Sequence, residues 1–432
     1  MKCDVCIVGA GYTGMWTSYY LKKAAPHLRI VLLDKQFAGY GASGRNGGWL
    51  TNSVTGGREQ YVSTHGRSAA KAMQSAMNST VDEVIRICEI EGIDADIVKG
   101  GELNAAFNPA QHARLNEWAV DEHSWGYSEV QVFDQIDTLS RISLPGVLSS
   151  IWHPHCARIQ PAKLAQGLRQ VLIDLGVELY ENTEVTEIRP HQAITRRGTV
   201  TADHVIRATE GFTANLKGLH RQVLPMNSSI IVTEQLPENV WEDIGWTGYE
   251  TLGDMAHVYF YAQRTADNRI AMGGRGVPYR YGSQTDSNGT AQQATITTLM
   301  NLTRKHFPMT SSYGFEHVWS GVLGVPRDWS AAVNYVSSTG EGSAGGYVGT
   351  GVTATNLAGR TLTDLILGRE TELTVLPWVN HKVRNWEPEP LRWIATHGLY
   401  AAYGFADEKE QRSNSSKTSA IADIANRITG RH

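Results

Sequence analysis

The hydrophobic positions of this chain fall partly into short unbroken runs and partly into stripes, and each pattern predicts a different element. Val5-Cys6-Ile7-Val8 runs straight into Gly9-Ala10-Gly11-Tyr12-Thr13-Gly14, and a second run, Ile30-Val31-Leu32-Leu33, ends on Asp34. Apolar runs of this length bounded by turn residues predict strands buried on both faces, here with a helix between them. Across residues 65–92, Met73, Met77, Val81, Val84 and Cys88 recur at helical spacing, which predicts an amphipathic helix with a methionine-rich stripe in the core. Residues 177–180, 183–188 and 201–211 predict three short strands, and residues 229–233, 257–261 and 269–275 alternate like strands of a second sheet. Later, Gly345-Gly346-Tyr347-Val348-Gly349-Thr350-Gly351 opens another helix pattern that continues through Leu362. From Leu373 the chain changes: Trp378, Trp386 and Trp393 flank or precede Pro388-Glu389-Pro390, and residues 407–417 are strongly polar. We expect a helical C-terminal extension, entered by an extended aromatic stretch and packed on the rest.

The order strand, glycine turn, helix, strand and acid carries chemistry. Gly9 permits a tight turn, Gly11 lets backbone approach a pyrophosphate, and Gly14 brings helix and strand together. The helix start, with Ala10, Tyr12 and Thr13, offers N–H groups and a positive dipole end. Asp34, followed by Lys35, is placed to accept from a ribose hydroxyl. This is the arrangement of a Rossmann-type dinucleotide site. Downstream, Gly41-Ala42-Ser43-Gly44-Arg45-Asn46-Gly47-Gly48-Trp49 holds four glycines in eight positions. Each glycine costs about 1 kcal/mol in a regular element relative to Ala, so the stretch is expected to be a loop that lets backbone pass close to the cofactor.

On GAGYTG, Asp34 and the GASGRNGG loop, the N-terminal half resembles the glycine oxidase, sarcosine oxidase and D-amino-acid oxidase superfamily of FAD enzymes. The loop looks most like the gamma-glutamylputrescine oxidase branch. The resemblance implies noncovalent or covalent FAD in a Rossmann-type domain. It places the strand around Val185 against the adenine, the Ala-Thr-x-Gly turn with Thr209 and Gly211 over the ADP half, and Gly321, Gly349, Thr350, Gly351, Val352 and Thr353 at the flavin. A helix dipole there would stabilise negative charge on the ring. The implied fold is α/β (α+β overall), with a mostly antiparallel substrate domain over the flavin. We therefore expect residues 1–64, 151–219 and 319–372 to bind the cofactor, residues 65–150 and 220–318 to cover it, and residues 373–432 to form the extension.

The implied reaction is oxidation of a C–N bond in an amine or amino acid by hydride transfer to the flavin. The imine hydrolyses to an aldehyde or keto acid, and oxygen is reduced to hydrogen peroxide. Tyr259, Arg275 and Trp319 are the expected catalytic residues, with Trp49, Tyr261 and Tyr347 completing an aromatic site suited to a neutral amine. Three departures from the sarcosine oxidases narrow this. No Cys follows Cys156, which excludes their cysteinyl link and leaves FAD noncovalent. Their carboxylate-binding Arg and Lys positions read Thr51 and Thr353 here, leaving Arg275 as an anion-binding candidate. No Lys occurs between Lys217 and Lys305, so Arg45, Arg275 or a protonated His257 would have to assist oxygen; the alternative is a dehydrogenase or tailoring enzyme, acting on an amine or aminophosphonate, with another acceptor.

The 432 residues, 41% apolar, are enough for two to three domain-sized units, and a net charge of −4 without basic clusters gives no nucleic-acid footprint. No apolar stretch approaches the ~18 residues that span a bilayer. Asp4 and the glycine turn interrupt any signal-peptide pattern. We expect a cytoplasmic monomer or homodimer whose partners are a small amine and oxygen. Cys3, Cys6, Cys88 and Cys156 make no disulfide framework, and His153, His155 and Cys156 lack the further ligands a zinc site needs, so no metal is expected.

Overall fold

The computed structural model describes residues 1–274, 279–285, 288–413 and 415–429. Two eight-stranded sheets organise it. In the first, Lys2–Val8 lies between Ile30–Leu33 and Gly198–Arg207, and all of these pair parallel. Glu178–Tyr180 extends the sheet beyond Ile30–Leu33, and Glu341–Gly345 extends it beyond Gly198–Arg207, both again parallel. Val5, Cys6, Ile7 and Ile30–Leu33 are buried, as strands covered on both faces must be. Helices Tyr12–Ala24 and Gly351–Ile366 pack together on this sheet. Their contact is so close that a Cβ on Gly359 would stand 2.8 Å from Trp16.

The second sheet runs Phe315–Val325, Leu224–Thr233, Ile270–Gly274, Phe260–Arg264, Thr251–Asp254, Glu102–Ala106, Ser149–His153 and Gln131–Phe133. It is antiparallel except where Thr251–Asp254 meets Glu102–Ala106. The strand carrying Trp319 and Gly321 is thus an edge of this sheet and not of the first. A small ribbon, Trp49–Thr51 with Cys156–Arg158, joins the glycine loop to the body. The helix Val62–Ile90 bears the expected stripe, with Met73, Met77, Val81, Val84 and Cys88 all buried, and it breaks only at Gly66.

Several expectations need correction. The glycine-rich loop is not wholly irregular: Ala42–Arg45 forms one helical turn and Trp49–Thr51 a strand. Asn46 stabilises that turn by donating through Nδ2 to the carbonyls of Ser43 (2.8 Å) and Ala42 (3.2 Å). The strand expected at 257–261 begins only at Phe260. The N–H groups of His257 and Val258 donate instead to the Asp407 carboxylate, at 2.8 and 2.9 Å, and so are not available to a sheet ladder. A further strand, Gln192–Thr195, pairs between Val185–Arg189 and Gly198–Arg207. The C-terminal extension is helical as expected, with Leu391–Ser413 running into the polar stretch 407–417 and Ala420–Thr429 following it.

Candidate functional site

The first sheet ends in a cleft of about 380 Å3, and the glycine motif forms one wall. Its three glycines do different work. Gly9 has φ +106, and a Cβ on it would lie 2.4 Å from the Ala208 carbonyl oxygen; on Gly14 it would lie 2.0 Å from the Gly9 carbonyl oxygen. Both are demanded by the fold itself. Gly11 has an ordinary extended backbone, φ −79, and a Cβ there would meet only Ser43 Oγ, at 3.0 Å. Its bareness faces the cleft. Ser43 Oγ accepts from Tyr12 N at 2.8 Å, so the glycine loop folds over the start of helix Tyr12–Ala24, which has no side-chain cap of its own.

Helix Gly351–Ile366 opens onto the same cleft through Gly349, Gly351 and Val352. Its N-cap residue, Thr350, does not cap it: the hydroxyl bonds to Tyr347 O (2.9 Å) and Thr55 Oγ1 (2.8 Å). Two positive helix ends therefore converge where an anionic group would lie. Across from them, Asp34 Oδ2 accepts from Ala10 N and Oδ1 from Gln36 N, each at 2.8 Å. Burial pushes the Asp34 carboxyl up, while those two N–H groups pull it back. These residues fit a dinucleotide: a pair of helix starts whose N-cap residues offer no capping side chain, a bare backbone at Gly11, and an acid at the strand end.

The cleft brings together Gly9, Gly11, Tyr12, Thr13, Asp34, Lys35, Gly41, Ala42, Ser43, Asn46, Val185, Thr209, Gly349, Gly351 and Val352. Ala10, Gly14, Gly44, Thr350 and Thr353 are not in its wall. Thr353 is fully buried, and its hydroxyl has no partner among the described residues. Gly211 serves packing, since a Cβ there would be 2.7 Å from Val322. Lys35 is paired with Glu184 at 2.8 Å. Arg45, Gly47, Gly48, Trp49 and Gly321 lie at the seam with the second sheet. There a Cβ on Gly47 would be 2.6 Å from the Tyr261 ring, and one on Gly48 would be 2.0 Å from Gln263 Nε2. Trp319 donates through Nε1 to Arg45 O at 2.8 Å, and Trp49 meets Tyr261 edge to face at 6.3 Å. The Tyr261 hydroxyl is 2.8 Å from Ser228 Oγ. Tyr259 is half-buried in the turn before its strand, and Arg275 lies outside the described residues.

Two acids were not singled out from sequence. Glu210, at φ +42, accepts from Gly324 N (2.6 Å), Tyr347 N (3.0 Å) and Gly346 N (3.1 Å). It ties three chain segments around the cleft. Burial pushes its carboxyl up to about 7, against the pull of those N–H groups and Arg207. Glu102 accepts from Thr51 Oγ1 (2.7 Å) and Asn104 Nδ2 (2.8 Å) beside the Trp49 strand, and burial raises its carboxyl too. His257 cannot act as an isolated cation: its Nε2 is 3.0 Å from Glu410 Oε1, which also pairs with Arg114 through its other oxygen. All four cysteines are buried and free, and none lines the cleft.

A parallel sheet with this cradle, faced by an antiparallel sheet, defines a dinucleotide-binding oxidoreductase. Residues 4–365 match the DAO family, described as FAD dependent oxidoreductase, and the chain belongs to that family. It is an FAD-dependent oxidoreductase. The chain is 28% identical over 378 residues to gamma-glutamylputrescine oxidoreductase of Escherichia coli strain K12, covering 85% of this chain and 84% of that one. It is 23% identical over 393 residues to glycine oxidase of Geobacillus kaustophilus, covering 87% and 96%. The crystal structure of glycine oxidase from Geobacillus kaustophilus superposes with a TM-score of 0.74 at 20% identity, over 88% of this chain and 99% of that one. No helix among the described residues is long and apolar enough to cross a membrane.

Proposed function

We propose that the protein is an FAD-dependent amine oxidase that removes hydride from the carbon bearing the nitrogen of a primary or secondary amine, turning its C–N bond into an imine. The single observation that carries this reading is the convergence on one cleft of two helix starts whose own N-cap residues leave them open, at Gly11 and at residues 349–351, in a chain of the DAO family. When bound, FAD supplies the acceptor for the hydride and the route of the electrons to oxygen. The names of the gamma-glutamylputrescine and glycine relatives point to a nitrogen substrate.

The chain's own residues bind and orient. Gly11, the Ser43 hydroxyl and the Thr13 N–H would hold the pyrophosphate, and Asp34 the ribose; the Tyr12 N–H is already given to Ser43 Oγ. Four buried cysteines away from the cleft support noncovalent attachment. We assign residues 1–64, 151–219 and 319–372 to the cofactor and residues 65–150 and 220–318 to the substrate cover, with Phe315–Val325 as the strand shared between them. Trp49, Tyr261 and Trp319 gather at the seam and favour a neutral amine by excluding water. Thr51 is tied to Glu102, and Thr353 is buried, so neither position offers a cation to a small carboxylate. An imine product would hydrolyse in water to an aldehyde or keto acid, releasing ammonia or an amine. The test is a peroxide-coupled screen of the purified yellow protein against polyamines, N-methyl amino acids, D-amino acids and alkylamines. Peroxide release with an amine supports the reading; no peroxide with any of these amines, from protein that carries bound flavin, contradicts it.

A further inference from the structure

A second cavity, of about 410 Å3, lies where the C-terminal extension meets the second sheet. Its floor is Leu224, Met226 and Trp329, and its roof is Ile394, Leu399 and Tyr400 of helix Leu391–Ser413. The polarity of its wall is already spent. Arg327 and Glu387 pair with each other at 3.0 Å, and the Thr396 hydroxyl donates to Arg392 O at 2.7 Å. A ligand here would be held by apolar and aromatic surface.

The cavity neighbours the cofactor cleft. Val348 packs in one cluster with Leu224, Met226 and Trp386, while its neighbours Tyr347 and Gly349 line the cleft. Met226 on the floor lies opposite Leu323, another cleft residue, in the register of the two strands. The roof belongs to this chain's own extension, beyond residues 4–365 that match the family.

We propose that this cavity receives the apolar body of the amine substrate, an alkyl or aryl chain, and that helix Leu391–Ser413 sets the specificity for it. The proposal rests on the amine oxidase reading and narrows its substrate class. Burying one methylene improves binding about fourfold, so kcat/KM of the holoenzyme should climb steeply from ethylamine to octylamine. Ala395 also lines the cavity, and Ala395→Trp should fill it. The octylamine-to-ethylamine ratio of kcat/KM should then fall at least tenfold while bound flavin is retained. Leu399→Trp is a second filling variant in case the first does not fold.

A turnover-independent readout keeps the two readings separable. Octylamine should quench the tryptophan fluorescence of the wild-type holoprotein at far lower concentration than ethylamine, and this difference should vanish in the filled variants. If no amine is oxidised but octylamine still quenches selectively, the cavity stands and the oxidase reading falls. If amines are oxidised with no dependence on chain length, and the quenching is the same in wild type and filled variants, the cavity proposal is overturned and the oxidase reading stands.

Discussion

Single residues divide into those the fold needs and those the cofactor needs, and the glycine motif separates them. Gly14→Ala would drive a Cβ to 2.0 Å from a backbone oxygen and should give insoluble protein. Gly11→Ala meets only Ser43 Oγ, at 3.0 Å, so the variant should fold with little change in Tm yet lose most of its FAD. The flavin-to-protein absorbance ratio of the soluble fraction checks this; a fully yellow Gly11→Ala would count against pyrophosphate binding there.

Glu210 makes a sharper prediction. Its folded value, about 7, stands above the ordinary carboxylate value, so the folded state binds the proton more tightly than the unfolded one. Its contribution to stability is therefore fullest at low pH and declines as pH rises toward 7. Glu210→Gln should remove that slope. It also turns an amide N–H toward one of three backbone N–H donors, leaving a buried group unsatisfied at a cost of about 1–3 kcal/mol. Tm measured against pH for both proteins tests the sign. Glu210 was hidden in the sequence because a charged residue between Thr209 and Gly211 looks like an exposed turn; its partners, Gly324 and Gly346, arrive more than a hundred residues later in the chain.

Among the elements, those written in local periodicity were legible and those decided by distant partners were not. The strands Lys2–Val8 and Ile30–Leu33, the helix Val62–Ile90 and the helix Gly351–Ile366 follow from runs and stripes within a single window. Gln192–Thr195 escaped because Gln-Ala-Ile-Thr is too short and too mixed to stand out. The start of Phe260–Arg264 was misplaced because Asp407, on the C-terminal helix, captures the preceding N–H groups.

That helix is fastened by Arg114, which donates to Glu410 (2.9 Å) and to the Met255 carbonyl (2.8 Å). Arg114 is partly exposed and Glu410 keeps His257 and the Ser419 N–H beside it, so losing this charged hydrogen bond costs about 1.5–3 kcal/mol. Arg114→Ala should therefore loosen residues 391–413, seen as faster hydrogen exchange there while the first sheet stays protected. Burial opposes ionisation of Glu410, but His257, the Ser419 N–H and Arg114 outweigh it and hold the carboxyl at about 2. A lowered value gives stability that is full above the ordinary carboxylate range and lost as pH falls toward 2. The extension should loosen in acid before the sheets do, and acid-stage exchange that is uniform across the chain would contradict this clamp.

For the whole molecule, the two sheets meet along a seam at the glycine loop, and under the proposed division cofactor and substrate sites would share residues 45–49 and the strand Phe315–Val325. This plan was legible in outline: interrupted glycine motifs required a second body between them. What sequence could not give was the identity of the seam contacts, since Gly47 against Tyr261 and Trp319 against Arg45 join positions far apart in the chain. It also left open how oxygen is assisted without a lysine in the covering sheet, with His257 now committed to Glu410. The most direct measurement is a stopped-flow cycle on the holoprotein with an amine it oxidises. The amine, added without oxygen, should bleach the yellow visible band, and dissolved oxygen should restore it much faster than it oxidises free reduced flavin, with one hydrogen peroxide released per amine consumed. Bleaching followed by return no faster than that of free flavin would contradict an oxidase and leave a dehydrogenase with another acceptor.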